Sequence, residues 1–148
     1  MKTLLLLLAL AQAALAAPYR NARLHFAADF PGKVQTLAAS GSSPSVFMVI
    51  QNPGPRAVVC AVSVRKTDRP LTARQALADL QEEDLPEGDT AVTVGGRPGL
   101  ERVRVHRADG IPTIKRVVTR GRLVYLVSFS GFDAALGRKF LDSFRLLP

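Results

Sequence analysis

Side chains that could carry out chemistry are few in this sequence and form no familiar constellation. The chain has two histidines and one cysteine, and no pair of them has the spacing of metal ligands. His25 and His106 fall at polar positions of predicted strands, where a solvated side chain is a simpler interpretation than an acid–base group. Cys60 falls at a core position, away from the exposed, positive setting that a reactive thiolate requires. We therefore expect no catalytic residue, no metal and no cofactor.

The serine- and glycine-rich stretches do not match catalytic or phosphate-binding loops. Ser42, Ser43 and Ser45 lie near Gly41 but lack the strand-to-helix turn of a nucleophile elbow. Gly95-Gly96 is followed neither by Lys-Ser/Thr nor by a helix start, so it does not predict a phosphate loop. A small exported hydrolase is therefore kept only as the alternative to a binding protein.

Positive charge is the property with the clearest functional content. Twenty lysines and arginines stand against twelve aspartates and glutamates, a formal net charge of +8, which favours anionic partners. Residues 101–130 predict a three-stranded meander whose strands pair outward from Asp109-Gly110 and Arg120-Gly121. Four cations share its polar face: Arg102, Arg104, Lys115 and Arg122.

The crowding of these four cations predicts a docking surface for an envelope protein or an anionic surface. The pairing sets Arg104 opposite Lys115, and like charges directly opposite each other cost roughly a few tenths of a kcal/mol unless a partner neutralises them. The alternative is that the side chains splay into water or are covered by acidic residues at the end of the first helix. Nucleic acid is not expected, because Tyr125 falls on the core face and leaves no stacking platform beside the charge.

The opposite face of the meander is predicted to be core. Pairing from the two turns sets Val105 opposite Ile114 and Val118 opposite Leu123. Arg116, set opposite Tyr125, is the one charge at this parity.

The first 16 residues predict a removable secretory signal peptide. Lys2 precedes an apolar run, and Ala14-Leu15-Ala16 has the small-x-small pattern that signal peptidase reads. The run is shorter than the roughly 20 residues needed to span a bilayer, and no cysteine adjoins the cleavage site. We expect export to the periplasm or medium of a bacterium, and a mature chain of residues 17–148 that forms one domain without a transmembrane segment.

Apolar periodicity predicts an α+β fold. Besides the meander, strands are predicted at 22–30, 34–37, 46–51, 57–64 and 91–94. Thr72 and Gln75 have the spacing of a capping box for a helix to about residue 83, and Asp133 caps a second helix to about residue 144. This order implies an antiparallel sheet of about six strands with two helices packed on it.

Four segments form a pattern that extends over nearly all of residues 17–148. They are the strand end Asp29-Phe30-Pro31-Gly32, the turn Gly95-Gly96-Arg97-Pro98-Gly99, the strand Arg122-Leu123-Val124-Tyr125-Leu126-Val127 and the last helix with Phe140-Leu141-Asp142-Ser143-Phe144. Together they resemble the PsbP-like family of photosystem II extrinsic proteins, a Ran-binding nuclear import factor and bacterial exported proteins. The resemblance implies an α/β/α sandwich that acts as a binding or assembly module rather than an enzyme, and it carries over no functional residue.

Overall fold

Antiparallel β-sheet makes up most of the described chain, which in this computed structural model comprises residues 17–32, 34–37, 46–51, 58–79 and 88–148. The strands there are β1 (Ala17–Asn21), β2 (Phe26–Phe30), β3 (Gln35–Leu37), β4 (Val46–Gln51), β5 (Val58–Lys66), β6 (Asp89–Val94), β7 (Arg97–Val105), β8 (Pro112–Arg120), β9 (Leu123–Ser130) and β10 (Arg145–Leu146). The helices are α1 (Ala73–Ala78) and α2 (Ala134–Ser143). The α+β class is confirmed.

The strands form two sheets rather than one. A seven-stranded sheet has the order β3-β4-β5-β9-β8-β7-β6, and a three-stranded sheet has the order β1-β2-β10. Every pairing is antiparallel. The observed arrangement differs from the expected single sheet of about six strands, because the short β1 and β10 pair with β2 and not with the larger sheet.

The first predicted strand, 22–30, is broken by a turn. The side chain of Asn21 accepts the backbone N–H of Leu24 at 2.9 Å, and His25 has a positive φ of 56°. An Asx-type turn followed by a left-handed residue cannot continue a ladder, so β2 begins only at Phe26. His25 is therefore a turn residue, and its Nδ1 lies 3.0 Å from the carbonyl oxygen of Pro148.

The two faces of the seven-stranded sheet pack against different layers. One face meets α2 and the three-stranded sheet, and we call it the α2 face. Six residues of the sheet are fully or nearly fully buried there: Cys60, Val62, Val118, Tyr125, Val127 and Phe129. The α1 face carries a smaller cluster that packs against α1: Leu100, Val117 and Val124, with Leu126 partly buried. Burial alternates along β5 and β9, as expected for strands covered mainly on one side.

Aromatic rings join the layers on the α2 face. Phe30 and Phe140 have ring centroids 5.0 Å apart, and Phe26 stacks on Phe144 at 5.8 Å. The hydroxyl of Tyr125 donates to the carbonyl of Leu24 at 2.7 Å, so its polar end is satisfied in the core.

The register of β7 with β8 is two residues away from the predicted one. Arg102 lies opposite Lys115 and Val103 opposite Ile114, and Arg104 faces Thr113. The connection is a four-residue loop, closed by the hydrogen bond from the Gly110 N–H to the His106 carbonyl at 2.7 Å. Asp109-Gly110 thus does not form a two-residue turn, because Gly110 has a positive φ and Asp109 does not.

The register of β8 with β9 is shifted in the same way. Val118 faces Tyr125 and Arg116 faces Val127, because the two central turn residues are Gly121 and Arg122. Gly121 has a φ of 57° while Arg122 does not have a positive φ, which is the pattern of a type II′ turn. A shift of two residues keeps each side chain on its predicted face.

Both helix starts are as predicted. Thr72 and Gln75 form the reciprocal capping box, and Asp133 accepts the N–H of Leu136 at 3.0 Å. The predicted extension of the first helix to residue 83, with its acidic end, falls outside the described residues.

Candidate functional site

Three of the four predicted docking residues lie together on the α1 face. Arg102 and Lys115 are directly opposite each other, and Arg104 is two residues further along β7. All three are half-buried, and burial lowers the pKa of the Lys115 ammonium.

Arg102 is paired within the sheet. Its Nε lies 2.7 Å from Oδ1 of Asp89 and its Nη2 lies 3.1 Å from Oδ2, a bidentate geometry between residues that are opposite each other in β6 and β7. The hydrogen bonds from Arg102 hold the pKa of Asp89 below its usual range. Asp89 therefore neutralises part of the charge on this face.

Arg122 lies apart from the other three. It occupies the β8–β9 turn, where its Nε donates to the carbonyl of Thr67 at 2.8 Å and its own carbonyl accepts the Thr67 N–H at 2.8 Å. Lys115 is five residues from the end of β8 at Arg120, a separation of roughly 17 Å at 3.3–3.4 Å per residue. The four cations thus fall into two groups.

A different group of cations gathers around Arg122. Arg120 adjoins the turn, Leu123 pairs with both Arg120 and Lys66, and extending the β7–β8 register by two residues places Arg97 level with Arg120. We call the following residues the turn-end cluster: Lys66, Arg69, Arg97, Arg120 and Arg122.

The turn-end cluster is accessible. Four of its members are exposed and Arg120, which donates to the carbonyl of Leu147, is half-buried. Asp68 is the one acidic residue in segments 65–69, 95–98 and 119–123. Sequence reasoning missed this cluster because it depends on the order β5-β9-β8-β7, which brings distant segments to one end of the sheet.

An apolar cavity adjoins the turn-end cluster on the α1 face. It has a volume of about 440 Å³ and lies between the start of α1 and the ends of β6, β7 and β8. Its lining residues are Leu71, Thr72, Ala73, Arg74, Ala91, Arg97, Pro98, Gly99, Leu100 and Thr119.

Arg116, the one charged residue on the predicted core face of the meander, belongs to a buried ionic network. Its Nε and Nη2 lie 3.0 and 2.8 Å from Oε2 of Glu101, and its Nη1 donates to the carbonyl of Leu141 at 2.9 Å. Asp142 accepts from Arg116 at 3.0 Å, and Arg138 donates to the other oxygen of Glu101. Burial raises the pKa of Glu101, but hydrogen bonds from Arg138 and Arg116 outweigh it and the net pKa is lowered. This network fixes α2 on the sheet.

Residues with reactive side chains are placed where they do not act together. The thiol of Cys60 is fully buried, and burial raises its pKa to about 12. His106 faces Asp109 at 3.1 Å in the exposed hairpin loop, where the same carboxylate accepts the Ile111 N–H. Within the described ranges, no three His, Cys, Asp or Glu side chains are grouped to hold a metal ion, and no helix has the length and apolarity to cross a membrane.

Comparison with known proteins gives a likeness of fold alone. No family model and no curated protein matches the chain. The structure is similar to a crystal structure of a protein from Bacteroides thetaiotaomicron, with a TM-score of 0.51 and 14% sequence identity. The alignment covers 84% of this chain and 46% of that one, so this chain spans less than half the length of the Bacteroides protein.

Proposed function

We propose that this chain is an exported, non-catalytic binding module that docks onto an anionic surface of the cell envelope through the turn-end cluster. The observation that carries the proposal is the convergence of five cations from β5, β7, β8 and the segments that follow them at one end of the sheet. A cluster of one sign produces a local potential that attracts an oppositely charged surface. Near an anionic bilayer each lysine or arginine contributes about 1 kcal/mol.

The half-buried cations on the α1 face, Arg102, Arg104 and Lys115, which we call the sheet-face group, are the weaker candidate for docking. Arg102 already has a bidentate carboxylate partner in Asp89, and the side chain of Arg102 is only 13% exposed. An external anion would have to compete with this pair. The exposed members of the turn-end cluster would meet a surface without that competition.

The placement of the helices supports a PsbP-like α/β/α sandwich. α1 packs on one face of the seven-stranded sheet and α2 on the other. The seventh strand and the three-stranded sheet are additions to the simple expectation of about six strands. A binding or assembly role is what this resemblance implies.

The absence of catalysis is supported by the setting of the reactive groups. With a pKa of about 12, the Cys60 thiol stays protonated at neutral pH and is a poor nucleophile. The His106 and Asp109 pair stabilises a hairpin loop. The alternative, a small exported hydrolase, has no nucleophile–base pair to support it among the described residues.

Export rests on the first 16 residues, which lie outside the described part of the chain. β1 begins at Ala17 and pairs there with Phe30. Cleavage after Ala16 would leave this pairing, and the rest of the domain, intact.

Co-sedimentation with lipid vesicles tests the proposal. We expect residues 17–148 to bind vesicles containing phosphatidylglycerol and not vesicles of phosphatidylcholine alone, with binding falling steeply from low to physiological salt, where charges are screened over roughly 8–10 Å. Lys66→Glu combined with Arg69→Glu should weaken binding at least tenfold, because both side chains are exposed. Arg107→Glu with Lys139→Glu makes the same charge change outside the cluster and should retain most of the binding.

A second pair of substitutions separates the two basic groups. If Arg104→Glu with Lys115→Glu abolishes binding at an unchanged melting temperature while the Lys66 and Arg69 variant binds normally, the docking surface is the sheet face. An equal loss of vesicle binding in all three double variants would mean that binding depends only on net charge, and the assignment to the turn-end cluster would be wrong.

A further inference from the structure

The cavity beside the turn-end cluster combines an apolar wall with one cationic side chain. Leu71, Ala91, Pro98 and Leu100 supply the apolar surface. Arg74 on α1 lines the same cavity. The side chain of Arg97 lies on the other face of the sheet, because Arg97 pairs with Val94 of the α2-face core. Its volume of about 440 Å³ falls within the range of roughly 300–1,000 Å³ typical of small-molecule sites.

The Arg74 guanidinium is available to a ligand. Arg74 is exposed, and among the described residues its side chain makes no hydrogen bond or ion pair. Asp89 acts on Arg74 only through space, since its carboxylate oxygens are already engaged by Arg102. A guanidinium is a planar donor that matches a carboxylate bidentately.

Neither the apolar wall nor the cationic side chain is enough on its own to identify the ligand. A purely polar anion would leave the leucine and alanine surface without a partner, and a neutral hydrocarbon would leave Arg74 beside it unused. A molecule with an apolar body and one anionic head satisfies both parts, because its chain is removed from water while its head pairs with Arg74.

We propose that this cavity binds an amphipathic carboxylate, an aliphatic acid whose chain lies against Leu71, Ala91 and Leu100 and whose carboxylate pairs with Arg74. The site is distinct from surface docking: Lys66 and Arg69, which test that function, do not line the cavity. The two ideas can therefore fail independently.

Isothermal titration with decanoate, decanol and acetate tests the assignment. Decanoate should bind, acetate should give no detectable heat, and decanol should bind at least tenfold more weakly than decanoate because it lacks the charge. Arg74→Gln should weaken decanoate roughly tenfold and leave the affinity for decanol unchanged. The matched substitution Arg107→Gln, far from the cavity, should change neither.

A cavity-filling variant and amide chemical shifts locate the ligand. Ala91→Phe, on the exposed edge strand β6, should block both decanoate and decanol, and its melting temperature shows whether it folds. In the unmutated protein, decanoate should move the amide signals of Ala91, Leu100 and Thr119. Decanoate that does not bind at millimolar concentration, or that binds the Arg74 variant with unchanged affinity and leaves those three signals in place, would overturn the inference.

Discussion

The two faces of the seven-stranded sheet are built by different means. The α2 face is sealed by aromatic rings and by a buried ionic network that ties Glu101 and Arg116 to α2. The α1 face has a smaller apolar cluster, a six-residue helix and an open cavity. The first face therefore supplies most of the stability of the domain, and the second has surface left over for a ligand.

Breaking the ionic network should have the largest effect on stability. Glu101 is 5% and Arg116 8% exposed, so Glu101→Ala leaves a buried guanidinium without its main counter-charge. Such losses cost about 3–5 kcal/mol, to be measured by chemical denaturation at pH 7. Because the pKa of Glu101 is lowered in the folded state, its contribution is complete above its unfolded pKa of about 4.3 and is lost as the pH falls through the folded value.

The double variant Glu101→Leu with Arg116→Leu is the control for that experiment. Replacing both partners by apolar residues removes the uncompensated charge, so it should be less destabilising than Glu101→Ala alone. If the stability lost by the double variant instead equals the sum of the losses of Glu101→Leu and Arg116→Leu made separately, the network is not the coupled unit described here.

Gly137→Ala should have the next largest effect on stability, and the sign of that effect is opposite to the one that helix propensity predicts. Alanine is about 1 kcal/mol better than glycine in a helix interior, so the sequence alone marks Gly137 as a weakness. In the structure a Cβ at this position would overlap the ring of Phe129, and overpacking of this kind costs about 1–3 kcal/mol. We expect Gly137→Ala to lower the melting temperature.

Ala135→Gly is the matched change on the exposed side of α2. It should also destabilise through propensity alone, by less than the roughly 1 kcal/mol of a helix interior, because Ala135 lies in the first turn of α2. A Gly137→Ala protein that melts higher than the unmutated one would show that α2 does not sit this close to the sheet.

The smallest effect is expected at the cap of α1. Thr72→Ala removes the hydroxyl that accepts the Gln75 N–H at 3.2 Å, a loss of about 1 kcal/mol. Because α1 lies outside the aromatic core, hydrogen exchange should accelerate in α1 more than in β9. Thr90→Ala, at an exposed position of β6, serves as the control and should leave both rates unchanged.

Local patterns in the sequence predicted what is locally determined. The caps at Thr72 and Asp133 and the faces of β7, β8 and β9 follow from side-chain chemistry and a period of two. The registers were wrong by two residues. Asp109-Gly110 lies in a four-residue loop rather than a two-residue turn, and the central residues of the next turn are Gly121 and Arg122 rather than Arg120 and Gly121.

Features that depend on the exact strand register, or on strands far apart in sequence, could not be predicted. Arg116 was identifiable as a charge at core parity, but its partner Glu101 emerges only once the β7–β8 register is known. The turn-end cluster and the cavity require the strand order of the whole sheet. The second sheet requires the pairing of β2 with β10 near the end of the chain.

That strand order also sets when the domain can fold. β5 acquires its neighbour β9 only after Ser130 has been made, and β2 acquires β10 only after Leu146. Long-range pairings of this kind pay the entropy of loop closure before they gain any contacts, which makes their formation slow. During synthesis the first half of the chain can therefore form only the β1–β2 and β3–β4–β5 pairings before the rest of the strands are made, a schedule compatible with the proposed export.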